Sequence, residues 1–217
     1  MTEIFTRDYL PAEVPVQLRI SEKFPRAAAL IKHYESVNQS GNPHLVPYQD
    51  SGGNWTAGYG QLIDPDSKDI ERTPEWAEIN FDNQIKVALE DVRKLEAKLP
   101  EGMSFTSNEI EGLIPILQNV GYTKVTNQGI NAMKALQAGD KDTFAKELFD
   151  NEVGFVRGKN KKGESIILGG LVERRGREGE IFSPRESTET QRESTENYLR
   201  KGGMVQRNPY PYNPRAI

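Results

Sequence analysis

Cysteine is absent from the 217-residue chain. Disulfides, thiol nucleophiles and thiolate metal sites are therefore excluded, and stability must come from packing. The chain has only two histidines, His33 and His44, which is few for a His-rich metal site or a Ser-His-Asp triad. We expect both histidines to be exposed or hydrogen-bonded, and we expect no metal site.

Long hydrophobic runs are also missing. No stretch approaches the length of apolar sequence that spans a bilayer, so we expect no membrane insertion. Residues 1–8 lack the basic start and apolar core of a cleaved secretory signal. We therefore expect synthesis in a cytoplasm without a signal peptide.

The chain also lacks an excess of positive charge, because it has 28 Lys and Arg residues but 32 Asp and Glu residues, which gives a net charge of -4. Nonspecific nucleic-acid binding draws its affinity from basic side chains that neutralise phosphates. We expect no nucleic-acid partner, and the balance provides no overall attraction to an anionic cell wall.

The hydrophobic pattern that is present is mostly helical. Apolar spacing, proline starts and a Thr106–Glu109 cap predict helices over 25–35, 73–99 (as one helix or two), 107–120, 127–137, 141–151 and 171–182. Aromatic and threonine residues around a Gly52-Gly53 turn predict a small β-hairpin over 46–62. The expected fold is α+β, mostly helical with a small antiparallel hairpin.

Composition divides the chain into three parts. Residues 1–24 read as an N-terminal extension, 25–182 as one domain and 183–217 as a polar, Pro/Tyr-containing tail. Within the domain, the basic and glycine-rich segment 157–170 predicts a surface loop.

Two carboxyl groups are candidates for acid and base chemistry. Glu35 ends a predicted helix, where the helix dipole and flanking Tyr34 and Val37 would favour the protonated form. Asp50 precedes the hairpin turn, whose N–H groups would hold its carboxylate ionised. Cleavage of a glycosidic bond needs such a protonated and ionised pair, and Thr56 on the returning strand could orient a water. Taken alone, each of these residues is more often an ordinary surface or turn residue.

A family resemblance outweighs that ordinary interpretation. Glu35 is followed by a signature that resembles the active site of phage-type lysozymes, glycoside hydrolase family 24: Asp50-Ser-Gly-Gly-Asn-Trp-Thr56-Ala-Gly58-Tyr59-Gly60. Further motifs follow in the family's order, including Asn119-Val-Gly, Ala138-Gly-Asp and Gly170-Leu-Val-Glu-Arg174-Arg175 with Glu178. The resemblance covers approximately residues 25–182.

The resemblance implies a lysozyme-like fold and hydrolysis of the β-1,4 bond between N-acetylmuramic acid and N-acetylglucosamine in peptidoglycan, without a cofactor. It places the acid at Glu35, the carboxylate partner at Asp50 and the hydroxyl at Thr56. It also implies a saccharide groove lined by Leu62, Gln118 and Gln128. We interpret the Arg174-Arg175 pair as structural, bracing the C-terminal helices against acidic partners.

Several features depart from the family or stay open. The loop between Glu35 and Asp50 is longer than usual by about half a dozen residues, which loop-closure entropy tolerates. Gln61 stands where the family usually has histidine, which we expect to change local support rather than catalysis. Trp55 and Tyr59 could stack on sugars, although hairpin packing is the favoured interpretation.

Two alternatives to hydrolysis remain. One is a lytic transglycosylase, which closes a 1,6-anhydro ring instead of admitting water. The other is a virion- or secretion-associated protein that keeps the fold to bind peptidoglycan, which the acidic balance and the extensions would suit. The partners we expect are peptidoglycan strands, with a phage-particle, pore-forming or secretion partner as options. The site of action is the bacterial cell wall or periplasm, and either inversion or retention is open.

Overall fold

Helices form most of the structure, a computed structural model that describes residues 19–36, 40–50, 53–159 and 163–183. The helices are α1 (Ile20–Lys23), α2 (Pro25–Glu35), α3 (Pro74–Glu96), α4 (Ser107–Val120), α5 (Tyr122–Gln128), α6 (Ile130–Gln137), α7 (Lys141–Phe149) and α8 (Gly169–Phe182). The strands are β1 (His44–Gln49), β2 (Trp55–Gly58), β3 (Gln61–Leu62), β4 (Arg157–Lys159) and β5 (Ser165–Ile167). The predicted fold class is confirmed: the protein is mostly helical with a small antiparallel sheet.

Helices α3 and α4 begin where their sequence signals place them. The Thr73 hydroxyl accepts a hydrogen bond from the Trp76 N–H and Pro74 follows it, so segment 73–99 forms a single helix, α3. Thr106 and Glu109 form a reciprocal capping box at the start of α4. Gly121 ends α4 with a φ of 82°.

Two segments differ from the sequence prediction. The helix predicted over 127–137 is interrupted at Gly129, because α5 ends at Gln128 and α6 begins at Ile130. Helix α5 itself begins at Tyr122, where the Gly121 carbonyl accepts the Val125 N–H. Val125 is the only buried residue of α5, so the segment carried almost no periodic signal. The predicted surface loop 157–170 is wrong in part, because β4 and β5 pair in antiparallel register. Strands of three residues are too short to show alternation.

The small sheet follows the order β1-β2-β3 and is antiparallel throughout. The predicted hairpin is thus confirmed, with β1 beginning at His44 and β3 added at its other edge. Thr56 pairs with Tyr48 on one side and with Leu62 on the other. Residues 51 and 52 of the predicted turn lie outside the described residues.

Helix α4 runs through the hydrophobic core and packs against α2, α3 and α8. Its buried side chains include Leu113, Ile114 and Ile116, which are fully inaccessible to solvent. Gly112 allows α8 to approach closely, because a Cβ at that position would lie 2.6 Å from the backbone of Phe182. This packing brings the C-terminal end of α2 and the middle of α8 to the same side of α4.

Polar contacts fix the first two helices. Asp82 on α3 accepts hydrogen bonds from the N–H groups of Ile20 and Ser21 and from the Ser21 hydroxyl. Glu111 on α4 accepts from the N–H of Arg26 at 2.6 Å and so caps α2. Over the part of the chain that the structure describes, no helix is long and apolar enough to cross a membrane.

Candidate active site

Glu35 is the last residue of α2, and its carboxyl group lies between α8 and the turn that joins β2 to β3. Oε1 accepts a hydrogen bond from Nη1 of Arg174 at 2.8 Å. A Cβ placed on Gly60, in the turn, would lie 3.3 Å from Oε2. The side chain keeps 25% of its surface exposed, so a substrate can reach it.

Arg174 is almost fully buried, with 4% of its side chain exposed. Besides Glu35, it donates from Nε to Glu178 and from Nη2 to Gln118, both at 3.2 Å. Its guanidinium also lies over the Tyr34 ring. Burial alone would lower the pKa of Arg174, but the carboxylates of Glu35 and Glu178 raise it, so this residue stays charged.

This contact was not foreseen from the sequence, which assigned the whole arginine pair a structural role. Arg175 fits that role, because it is completely buried and bonds Glu178 and the Phe155 carbonyl. Arg174 also bonds Glu178, but it reaches the candidate acid too. The contact places a fixed positive charge beside Glu35, which the sequence did not indicate. Tyr34 packs against Arg174, and residue 37 lies outside the described residues.

Asp50 directly follows β1 and is held by residues across the hairpin turn. Its Oδ1 accepts the Asn54 N–H at 2.8 Å, and the Asn54 side-chain amide lies 3.2 Å from Oδ2. The sequence prediction placed these donors in the Ser-Gly-Gly turn, of which residues 51 and 52 lie outside the described residues, and Asn54 follows that turn.

Thr56 lies on β2 and pairs with Leu62 on β3. The next pair, Ala57 with Gln61, is adjacent to the turn beside Glu35. Thr56 is buried, and its hydroxyl donates to the Tyr48 carbonyl at 3.2 Å. Because this donor is used, the hydroxyl oxygen can serve a water only as an acceptor. Thr56 therefore lies within the sheet, Asp50 lies directly after β1, and the Glu35 carboxyl lies against the turn between β2 and β3.

Comparison with known proteins decides the family. The family model described as phage lysozyme matches residues 38–178. The chain belongs to the phage lysozyme family. The resemblance found in the sequence is thereby confirmed, and membership supports a glycoside hydrolase that acts on peptidoglycan.

Solved structures agree on the fold. The muramidase domain of SpmX from Asticaccaulis excentricus has a TM-score of 0.57 at 21% identity, covering 72% of this chain and 94% of that one. An endolysin from Escherichia coli O157:H7 phage FAHEc1 has a TM-score of 0.55 at 25% identity, covering 75% and 92%. The active form of the P1 phage endolysin Lyz has a TM-score of 0.54 at 19% identity, covering 72% and 82%. Comparison with curated protein sequences gives no match.

The three predicted groove residues occupy different surroundings. Leu62 lies on β3 opposite Thr56 with 62% of its surface exposed, as a groove-lining side chain would be. Gln118 is half-buried on α4 and bonds Arg174 beside Glu35. Gln128 is exposed at the end of α5, where it lines a surface cavity with Asp91 and Tyr122. The lining of that cavity contains none of the three proposed catalytic side chains.

The two aromatic residues of the hairpin, Tyr59 and Trp55, differ in burial. Tyr59 is buried against Phe81, with its hydroxyl 2.9 Å from Glu78 and 3.1 Å from the Gly41 carbonyl, so it serves packing. Trp55 is half-buried, with Lys68 over its ring. Among the described residues, no group of three or more His, Asp or Glu side chains is placed to hold a metal ion.

Proposed function

We propose that this protein is a muramidase that hydrolyses the β-1,4 bond between N-acetylmuramic acid and N-acetylglucosamine. The observation that carries the proposal is the placement of the Glu35 carboxyl against the β2–β3 turn of the same sheet that carries Asp50 and Thr56. Two carboxyl groups on opposite sides of a glycosidic bond are the usual requirement for its hydrolysis.

In the proposed reaction, protonated Glu35 donates its proton to the glycosidic oxygen as the bond to the anomeric carbon breaks. A water attacks that carbon and passes one proton to the Asp50 carboxylate, while the Thr56 oxygen accepts a hydrogen bond from the water. Afterwards Asp50 releases its proton to solvent and Glu35 takes one up, which restores both groups. We propose inversion at the anomeric carbon, because the water occupies the face that Asp50 serves.

Arg174 fits this scheme as a fixed positive charge. Once Glu35 has given its proton to the leaving group, the Nη1 donor at 2.8 Å stabilises the carboxylate that remains. Contact through one guanidinium nitrogen is weaker than a bidentate grip on both carboxylate oxygens.

The test is digestion of purified peptidoglycan, with the released muropeptides identified by mass spectrometry. Wild type should release products with reducing ends, whereas Glu35→Gln should release none. Glu101→Gln is the matched control, because Glu101 is exposed in the turn after α3. Products lighter by one water would instead identify a lytic transglycosylase. If wild type releases no muropeptides, a peptidoglycan-binding role would be favoured.

Asp50→Asn and Thr56→Ala separate the two parts of the water site. We expect Asp50→Asn to lose nearly all hydrolysis, since the amide cannot accept the proton. Thr56→Ala should retain more activity, because it removes one acceptor and leaves the base. The anomeric configuration of the first product, followed by proton NMR, tests the proposed inversion.

A further inference from the structure

Three glutamine side chains form a continuous hydrogen-bonded row from the small sheet to Arg174. Gln84 on α3 donates from Nε2 to Oε1 of Gln61 on β3 at 3.0 Å. Gln118 on α4 donates from Nε2 to Oε1 of Gln84 at 3.4 Å. Arg174 on α8 completes the row by donating from Nη2 to Oε1 of Gln118 at 3.2 Å. We call Gln61, Gln84 and Gln118 the glutamine chain.

The direction of the chain is imposed from its α8 end. A guanidinium only donates hydrogen bonds, so the Gln118 oxygen must face Arg174 and its NH₂ must point away. That NH₂ meets the Gln84 oxygen, which turns the Gln84 NH₂ toward Gln61. Each amide therefore has its donor and acceptor ends matched, as a chain of mutually polarising hydrogen bonds requires.

The chain determines which part of Arg174 faces Glu35. Glu178 occupies Nε and Gln118 occupies Nη2, so Nη1 is the nitrogen that contacts Glu35. None of the three glutamine side chains carries a titratable group. The charged groups around the guanidinium are Glu35 from α2 and Glu178 from α8, with Arg175 bonded to the latter.

We propose that Gln84 and Gln118 are positioning residues that orient Arg174 on Glu35 from the sheet side. The proposal rests on the proposed hydrolase function, in which Glu35 is the acid. Gln84 contacts neither Glu35 nor Arg174 in any hydrogen bond, so its effect must pass through Gln118. The chain also links the position of the sheet, with Asp50 and Thr56, to the orientation of the acid.

The first experiment measures kcat and KM on a soluble glycan of alternating N-acetylmuramic acid and N-acetylglucosamine. Small misplacements of catalytic groups cost large factors in rate, so we expect kcat to fall about tenfold in Gln118→Met and about threefold in Gln84→Met. In Gln84→Met, KM should stay within about twofold, because Gln84 is not among the predicted groove residues. Gln137→Met, at the exposed end of α6, is the matched control and should match wild type.

A double variant tests whether the two glutamines act as one unit. Gln84→Met combined with Gln118→Met should lose no more kcat than Gln118→Met alone, since the chain is already broken. Gln84→Glu should keep most of the rate, because its carboxylate still accepts from Gln118. Additive losses, or a Gln84→Met variant equal to wild type, would overturn the proposal.

A second measurement is independent of activity. In wild type, hydrogen bonds should hinder rotation of the Arg174 guanidinium and give separate nitrogen NMR signals for Nη1 and Nη2. Those signals should merge in Gln118→Met and stay separate in Gln137→Met. If the signals merge in Gln118→Met but wild type cleaves no glycan, the proposed function fails, whereas the positioning of Arg174 by the glutamine chain stands. Unchanged signals in Gln118→Met would overturn the positioning role.

Discussion

Arg174 and Glu35 lie 139 residues apart in sequence, yet Nη1 of the arginine is 2.8 Å from Oε1 of the glutamate. The pair joins the last helix of the domain to the end of the helix that carries the candidate acid. Because Arg174 also bonds Glu178 and Gln118, it is held from three directions. A substitution that keeps the positive charge but changes the shape of the side chain can therefore test whether these three hydrogen bonds matter.

Replacement of Arg174 by lysine should lower kcat/KM about 100-fold, because a point-like ammonium cannot serve three acceptors in the fork geometry of a guanidinium. Arg177→Lys is the control from the same helix, since Arg177 forms an exposed ion pair with Glu173. We expect that control to stay within about twofold of wild type. Hydrolysis assays on both variants decide the matter, and equal activities would show that Arg174 does not act on Glu35.

Gly60→Ala should impair the site beyond its effect on folding. The glycine has a φ of 78°, and an added Cβ would lie 3.3 Å from Oε2 of Glu35. Gly102 has a nearly equal φ of 80° with open space around the added atom. We expect each alanine to cost about 1 kcal/mol of stability through backbone strain. Only Gly60→Ala should also lower the rate, by about tenfold through displacement of the acid. Equal rates in the two variants would contradict this.

Gly112→Ala should destabilise the protein at the contact between α4 and α8. The added Cβ would approach the Phe182 backbone to 2.6 Å, so one helix must shift, at a cost of about 3 kcal/mol. Gly176→Ala, on α8 with nothing within 4 Å, should instead stabilise by about 1 kcal/mol through helix propensity. Urea unfolding measures both, and a stabilised Gly112→Ala would show that the helices have room to separate.

Asp82→Asn should destabilise the attachment of α1 in a pH-dependent way. Burial would raise the pKa of Asp82, but hydrogen bonds from the Ser21 hydroxyl and from the Ser21 and Ile20 N–H groups outweigh it and lower the pKa. A lowered folded-state pKa adds stability that is present above the ordinary aspartate value of about 4 and is lost as pH falls below it. At neutral pH the variant should therefore be less stable by about 1 kcal/mol, the usual cost of a lost helix cap.

The two proteins should converge in stability as pH falls through the lowered pKa of Asp82, because the protonated carboxyl resembles the amide. Thermal unfolding across this range measures the difference. Ser21→Ala, which removes one donor and keeps the carboxylate, should show a smaller change of the same sign. A difference that stays constant with pH would mean that the charge of Asp82 contributes nothing.

The sequence by itself determined the local elements and the site motif. Proline at a first helical turn, the Thr106–Glu109 cap and the apolar period of α4 act within a few residues of each other, so their effect can be read directly. The same holds for the hairpin that carries Asp50 and Thr56, whose spacing fits the antiparallel pair. The weak signals, in α5 and in the short β4–β5 pair, are those with too few residues to show a period.

Tertiary structure alone decided what surrounds Glu35. Whether Arg174 is a structural brace or a partner of the acid depends on how closely α8 approaches α4, and that distance is set by Gly112 against Phe182. The glutamine chain likewise needs α3, α4 and the small sheet to meet. No sequence signal marked Gln84, and the family resemblance placed Gln118 only in the saccharide groove. Contacts between residues far apart in sequence leave no periodic pattern, because packing and not the neighbouring chain positions them.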